Sequence, residues 1–100
     1  MSNEEFLSSL EQTFKECLET AKRKNADYSK VGDPFANFKN VEVLGICSVE
    51  TGILTRMTDK MARISNLIKQ EAQVKDESIK DTLMDLVNYA SILKSYIESK

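Results

Sequence analysis

Four polar residues in the C-terminal quarter carry the strongest hint of chemistry. At about 100° per residue on a helical wheel, Glu77, Asp81, Asp85 and Asn88 fall in one narrow sector, with no Lys or Arg of the same helix among them. Three acids at i, i+4 and i+8 repel, each pair costing about 0.2–0.5 kcal/mol. A solvated helix face usually interleaves signs. The stripe therefore points to a cation, either a divalent metal or a basic partner, with a plain acidic surface as the alternative. The chain has no His, so imidazole ligands and His-based nucleophile triads are excluded. A metal here would take oxygen ligands, which suits Mg²⁺ or Mn²⁺.

A second group lies upstream. Arg56, Lys60 and Arg63 form a basic ridge at i, i+4 and i+7, with Asp59 and Asn66 just beyond it. Acids that hold a metal beside bases that hold phosphate charge are the parts of a metal–phosphate site. The simpler reading is that Asp59 and Arg63 are an ordinary i, i+4 pair on a wet helix.

These residues need helices to position them. Phe6, Leu10, Phe14, Cys17, Leu18 and Ala21 recur at helical spacing, which predicts a helix over about 3–24, capped by Ser2 or Asn3. Ile53, Leu54, Met57, Met61, Ile64 and Ile68 predict a second over about 48–71. Ile79, Leu83, Leu86, Val87, Ala90, Leu93 and Ile97 predict a third over about 76–98, with Asp76 as its cap. Between the first two, residues 25–40 hold Asn, Asp, Gly and the only Pro, and read as a loop. Three of the seven aromatics, Tyr28, Phe35 and Phe38, fall within it. A loop that long in a small domain is usually functional, although Phe35 and Phe38 can equally pin it to the core. The expectation is an all-α single domain spanning 1–100: a small bundle of three long helices, completed by oligomerisation.

Composition sets the outer limits. One hundred residues, 41% hydrophobic and 30% charged, suffice for one globular core. A net charge of -2 offers no basic field for nucleic acid. No uncharged run is long enough to span a bilayer, and MSNEEFLSSL lacks the basic start of a secretory signal. Cys17 and Cys47 then read as reduced thiols of a cytoplasmic protein. Because the third helix is apolar in more than one direction, a homo-oligomer with its site near a subunit interface is expected.

Taken together, KNADY (24–28), Asn37–Phe38, RMTDKMARISNLI (56–68) and DESIKDTLMDLVNYA (76–90) resemble nucleotide modification associated domain 1, a small family of phage and bacterial genomes. That family is in turn similar to the MazG-like all-α nucleoside triphosphate pyrophosphohydrolases, which use Mg²⁺ to cleave between the α and β phosphates. The resemblance implies a MazG-like bundle in the host cytoplasm and a nucleotide ligand. It implies catalytic acids at Glu77 and Asp81; on the residue pattern Asp59 would join them as a catalytic acid, with Asp85 as a further metal ligand. Arg56, Lys60, Arg63 and Asn88 would hold the nucleotide, and Asn25, Asp27 and Tyr28 would read or stack its base and sugar. The chain departs from the MazG-like pattern in lacking a Glu-rich cluster on the preceding helix, where Glu50 and Asp59 are the only acids between residues 48 and 70. Three readings stay open: a Mg-dependent (d)NTP pyrophosphohydrolase or nucleotide-modification accessory, a non-catalytic binder that sequesters a nucleotide or cyclic-nucleotide defence signal, and an interaction scaffold.

Overall fold

The computed structural model describes residues 1–28, 32–70 and 77–100, and for residues 25–28 and 77 the backbone alone. Four helices follow one another: α1 (Asn3–Tyr28), α2 (Ala36–Val43), α3 (Val49–Lys69) and α4 (Glu77–Glu98). The described residues contain no strand, so the all-α expectation holds. None of these helices is long and apolar enough to cross a membrane.

Each start and stop has a local cause. Ser2 caps α1: its hydroxyl accepts from the Glu5 amide at 3.1 Å and donates to the Glu5 carboxylate at 3.1 Å. The Ser2 hydroxyl thus makes the N-cap half of a capping box, while Glu5 takes the hydroxyl proton rather than the Ser2 amide. Ser48 caps α3, accepting from the Thr51 amide at 3.1 Å, while the Glu42 carboxylate takes the Val49 amide at 3.2 Å. The α2 helix ends at Gly45, whose φ of 73° is left-handed. The Ile46 amide reaches back to the Val41 carbonyl at 2.9 Å and the Gly45 amide to Glu42 at 3.0 Å. That double bond pattern needs a residue at ease with positive φ. The cap expected from Asp76 lies outside the described residues.

The predicted 25–40 loop is corrected in two places. Helix α1 runs four residues further, to Tyr28, because no Gly or Pro stops it before Gly32. A fourth helix, α2, then occupies 36–43. Asp33 starts it: its carboxylate accepts from the Phe35 amide at 2.9 Å and pairs with Lys39 at 2.6 Å. The aromatics do pin this segment, Phe35 edge-on to Tyr96 at 5.3 Å between centroids and Phe38 edge-on to Tyr89 at 6.2 Å.

The main packing is α3 against α4, with α1 on the other side of α4 and α2 on the start of α3. Among the described residues the buried side chains are few: Cys17, Val49, Ile53, Ile79 and Thr82. Gly52 permits the α2–α3 approach, since a Cβ there would meet Val41 Cγ2 at 2.9 Å. Cys17 and Cys47 are free thiols. Burial, with Glu16 and Asp85 nearby, pushes the Cys17 thiol above its ordinary pKa.

Candidate functional site

Helix α3 projects Arg56, Asp59, Lys60, Arg63 and Asn66 toward one edge, where α4 adds Tyr89. Together with Ala62 and Leu67 these line an open cleft of about 610 Å³. A larger cleft of about 730 Å³ lies alongside, walled by α1, the start of α2 and α4. Its lining includes Phe38, Val41, Asn88 and Ile92. Arg56 and Tyr89 belong to both, so they stand at the divide.

The three bases of the ridge are held differently. Arg63 is anchored: its Nε donates to the Thr82 hydroxyl at 3.2 Å, and that hydroxyl donates to the Ser78 carbonyl at 2.6 Å. One of five guanidinium donors is thus used among the described residues, and Arg63 lines the cleft. Lys60 pairs with Asp85 at 3.1 Å. Arg56 is exposed and makes no hydrogen bond or ion pair among the described residues. Asp59 is the one acid among the described residues of the smaller cleft, against Arg56, Lys60 and Arg63, so their summed charge is positive. Such a surface attracts anions, and a guanidinium fork matches phosphate oxygens.

One acid of the α4 stripe, Asp85, is compensated from neighbouring helices. Asp85 takes Lys60 of α3 on one carboxylate oxygen and Lys24 of α1, at 3.4 Å, on the other. It thereby ties α1 to α3 across α4. Asp81, one turn earlier, is exposed, as is Asp59. The side chain of Glu77 lies outside the described residues, as do those of Asn25, Asp27 and Tyr28. No group of three potential metal ligands gathers among the described residues. Asn88 is half-buried and donates to the Cys17 carbonyl at 3.2 Å, so its amide holds α1 while it lines the larger cleft. Glu50 is held by Lys100 at the far end of the α3–α4 pair, which keeps its carboxyl below the ordinary range.

Tyr89 and Lys24 are the site residues that the sequence did not single out. Tyr89 follows Asn88 and sits between the apolar and acidic sectors of α4, where an amphipathic ring belongs at the edge of a cleft. Lys24 is part of the basic run 22–24, whose contact with Asp85 spans 61 positions and leaves no local trace.

No curated protein and no solved structure matches the chain. A family model, nucleotide modification associated domain 1, matches residues 24–94. That span takes in α2, α3, most of α4 and every residue of the smaller cleft. The match covers well over half of the chain, and the protein belongs to the nucleotide modification associated domain 1 family.

Proposed function

We propose that this protein binds a nucleotide, with the phosphates on Arg56, Lys60 and Arg63 and the base against Tyr89 in the larger cleft. The observation that carries this reading is Arg56, a cation without a protein partner among the described residues, on the divide between a basic cleft and an aromatic one. Any base offers a π-face to Tyr89, and Phe38 braces that ring edge-on. The family description concerns nucleotides, which supports the same ligand class. Titration calorimetry with a panel of nucleoside mono- and triphosphates tests it. Saturable binding that weakens in Arg56→Ala is expected, and a panel without binding overturns it.

A second reading is Mg-dependent hydrolysis of a nucleoside triphosphate, and Asp59 favours it by sharing the smaller cleft with all three bases. Mg²⁺ commonly keeps several waters and takes one or two carboxylates plus substrate phosphates. Asp59 fits that limited role, and Asp81, exposed on α4 and lining neither cleft, and Glu77 are further candidates for it. Both oxygens of Asp85 are engaged by lysines, so the described acids suit an ion that arrives with the nucleotide better than a resident cage. Incubation with a dNTP panel and Mg²⁺ separates the readings. Released pyrophosphate establishes the hydrolase, and binding without turnover leaves the accessory or sequestering role.

A further inference from the structure

The chain exposes far more surface than a folded monomer of its size. Its accessible area is 7596 Å², whereas an 11.3 kDa chain is expected to expose about 5,700 Å². The excess of about 1,900 Å² is more than twice the roughly 800 Å² that each partner buries in a standard interface. Exposed apolar side chains gather on two surfaces away from the basic cleft, besides the Val43, Leu44 and Ile46 patch that follows α2.

The first is the N-terminal half of α1. Phe6, Leu7, Leu10 and Phe14 are 36–60% exposed, although they form a continuous stripe. Helix α1 meets α4 only further along, where Cys17 contacts the Met84 carbonyl and Asn88 contacts Cys17. The family match begins at Lys24, so this stripe lies outside it.

The second surface is the outer face of the α3–α4 pair. Arg63 meets Thr82, Lys60 meets Asp85 and Glu50 meets Lys100, so the two helices run antiparallel. Leu54, Met61 and Ile68 recur at seven-residue intervals on α3 and are 50–59% exposed. The antiparallel register sets Ile97, Ala90 and Leu83 beside them on α4, all exposed. Two adjacent apolar stripes form a furrow about 20 Å long, at 1.5 Å per residue, which suits one further helix.

We infer that the occupant of this furrow is the α1 helix of a second copy, and that the exchange is reciprocal, giving a two-fold dimer. Charge supports the pairing. Glu4 and Glu11 border the α1 stripe on the wheel and Lys80 borders the furrow on α4, where Lys94 is already paired with Glu98, so the acidic flank of α1 meets Lys80. A reciprocal contact closes the assembly at two chains and covers both apolar surfaces at once. The pairing leaves the basic cleft open, so it is independent of the nucleotide reading.

Sedimentation equilibrium of the full chain at micromolar concentration tests the inference, with circular dichroism as the folding control. The parent should have twice the 11.3 kDa chain mass. Leu10→Gln on α1 and Met61→Gln on the furrow should each halve that mass while keeping helical content, because both side chains are exposed in a single chain. Leu7→Gln and Ile68→Gln are second variants on the same two surfaces, used if either first variant loses its helical signal. A monomeric parent, or a mass above two chains, overturns the inference. So does a dimer that dissociates on substitution of one surface only, which would mean that like surfaces pair.

Discussion

Replacing Arg56 with Ala should separate ligand binding from folding. The side chain is exposed and contacts no described partner, so its loss should move intrinsic stability by no more than about 0.5 kcal/mol. A hydrogen bond to a charged group contributes about 1.5–3 kcal/mol, so the same change should raise the nucleotide Kd roughly 10- to 150-fold. Thermal melting reads both numbers. With ligand at 100 times the parent Kd, binding stabilises by about 2.7 kcal/mol, and a 100-fold weaker variant retains about 0.4 kcal/mol. At about 4–8 °C per kcal/mol for a domain of this size, a ligand-induced Tm rise of about 11–22 °C falls to about 2–3 °C. Arg56→Lys keeps the charge but loses the fork, and should fall between. If the ligand-free Tm drops as far as the ligand-induced rise, Arg56 is structural. If neither quantity moves, the phosphates bind elsewhere.

Other perturbations divide the site from its support. Tyr89→Ala should weaken nucleotides more than inorganic pyrophosphate, measured by calorimetry, since only the former carries a base; equal losses refute the stacking role. Asp81→Asn or Glu77→Gln should abolish any Mg-dependent turnover while preserving the helical spectrum, and turnover at the parent rate would make the α4 stripe a solvated surface. Ile53→Ala removes a side chain with no exposed area and should cost about 2–5 kcal/mol in chemical denaturation, a large share of the roughly 5–15 kcal/mol typical of a whole domain. The ion pairs give a pH dependence with a definite sign. Lys39 holds Asp33 below its ordinary 3.8, and Lys100 holds Glu50 below 4.5. The folded state therefore binds protons less tightly than the unfolded one, and the stabilisation present above those ordinary values is lost as pH falls through the lowered ones. Amide-exchange protection factors, referenced to the intrinsic rate at each pH, should fall in α2 and at the C-terminal end of α4 across that acid range, and a flat protection profile refutes the coupling.

The long helices were legible because each carries an apolar stripe over four or more turns. Helix α2 was hidden for the converse reason. Its eight residues bury no side chain completely, and Val43, Leu44 and Ile46 around its end are exposed, so no stripe sets it apart from a loop. What fixes it is the Asp33 turn at one end, Gly45 at the other, and two aromatics whose partners, Tyr89 and Tyr96, lie more than fifty positions away. The candidate site divides along the same line. The ridge of Arg56, Lys60 and Arg63 was visible because its three bases share one helix face. The neutralisation of Asp85 was not, because its two lysines come from α1 and α3.

That neutralisation changes what the acidic stripe argues for. Uncompensated, a line of acids on α4 called for a cation from outside. With Lys24 and Lys60 on Asp85, the chain supplies two cations itself. The pairing also leaves Arg56 as the basic group on the α3 ridge with no described partner, at the point where both clefts meet. Gly52, one turn before Arg56, bears on the same place. A Gly inside an exposed helix costs about 1 kcal/mol relative to Ala, yet Ala at this position would drive its Cβ into Val41. Val41 is β-branched and has few rotamers to yield with, so Gly52→Ala should displace α2, and with it the Phe38 ring that braces Tyr89. The expected outcome is a helix α3 of unchanged or higher intrinsic propensity together with weaker nucleotide binding. Calorimetry on Gly52→Ala decides it: parent-level affinity would show that the position of α2 does not govern the cleft.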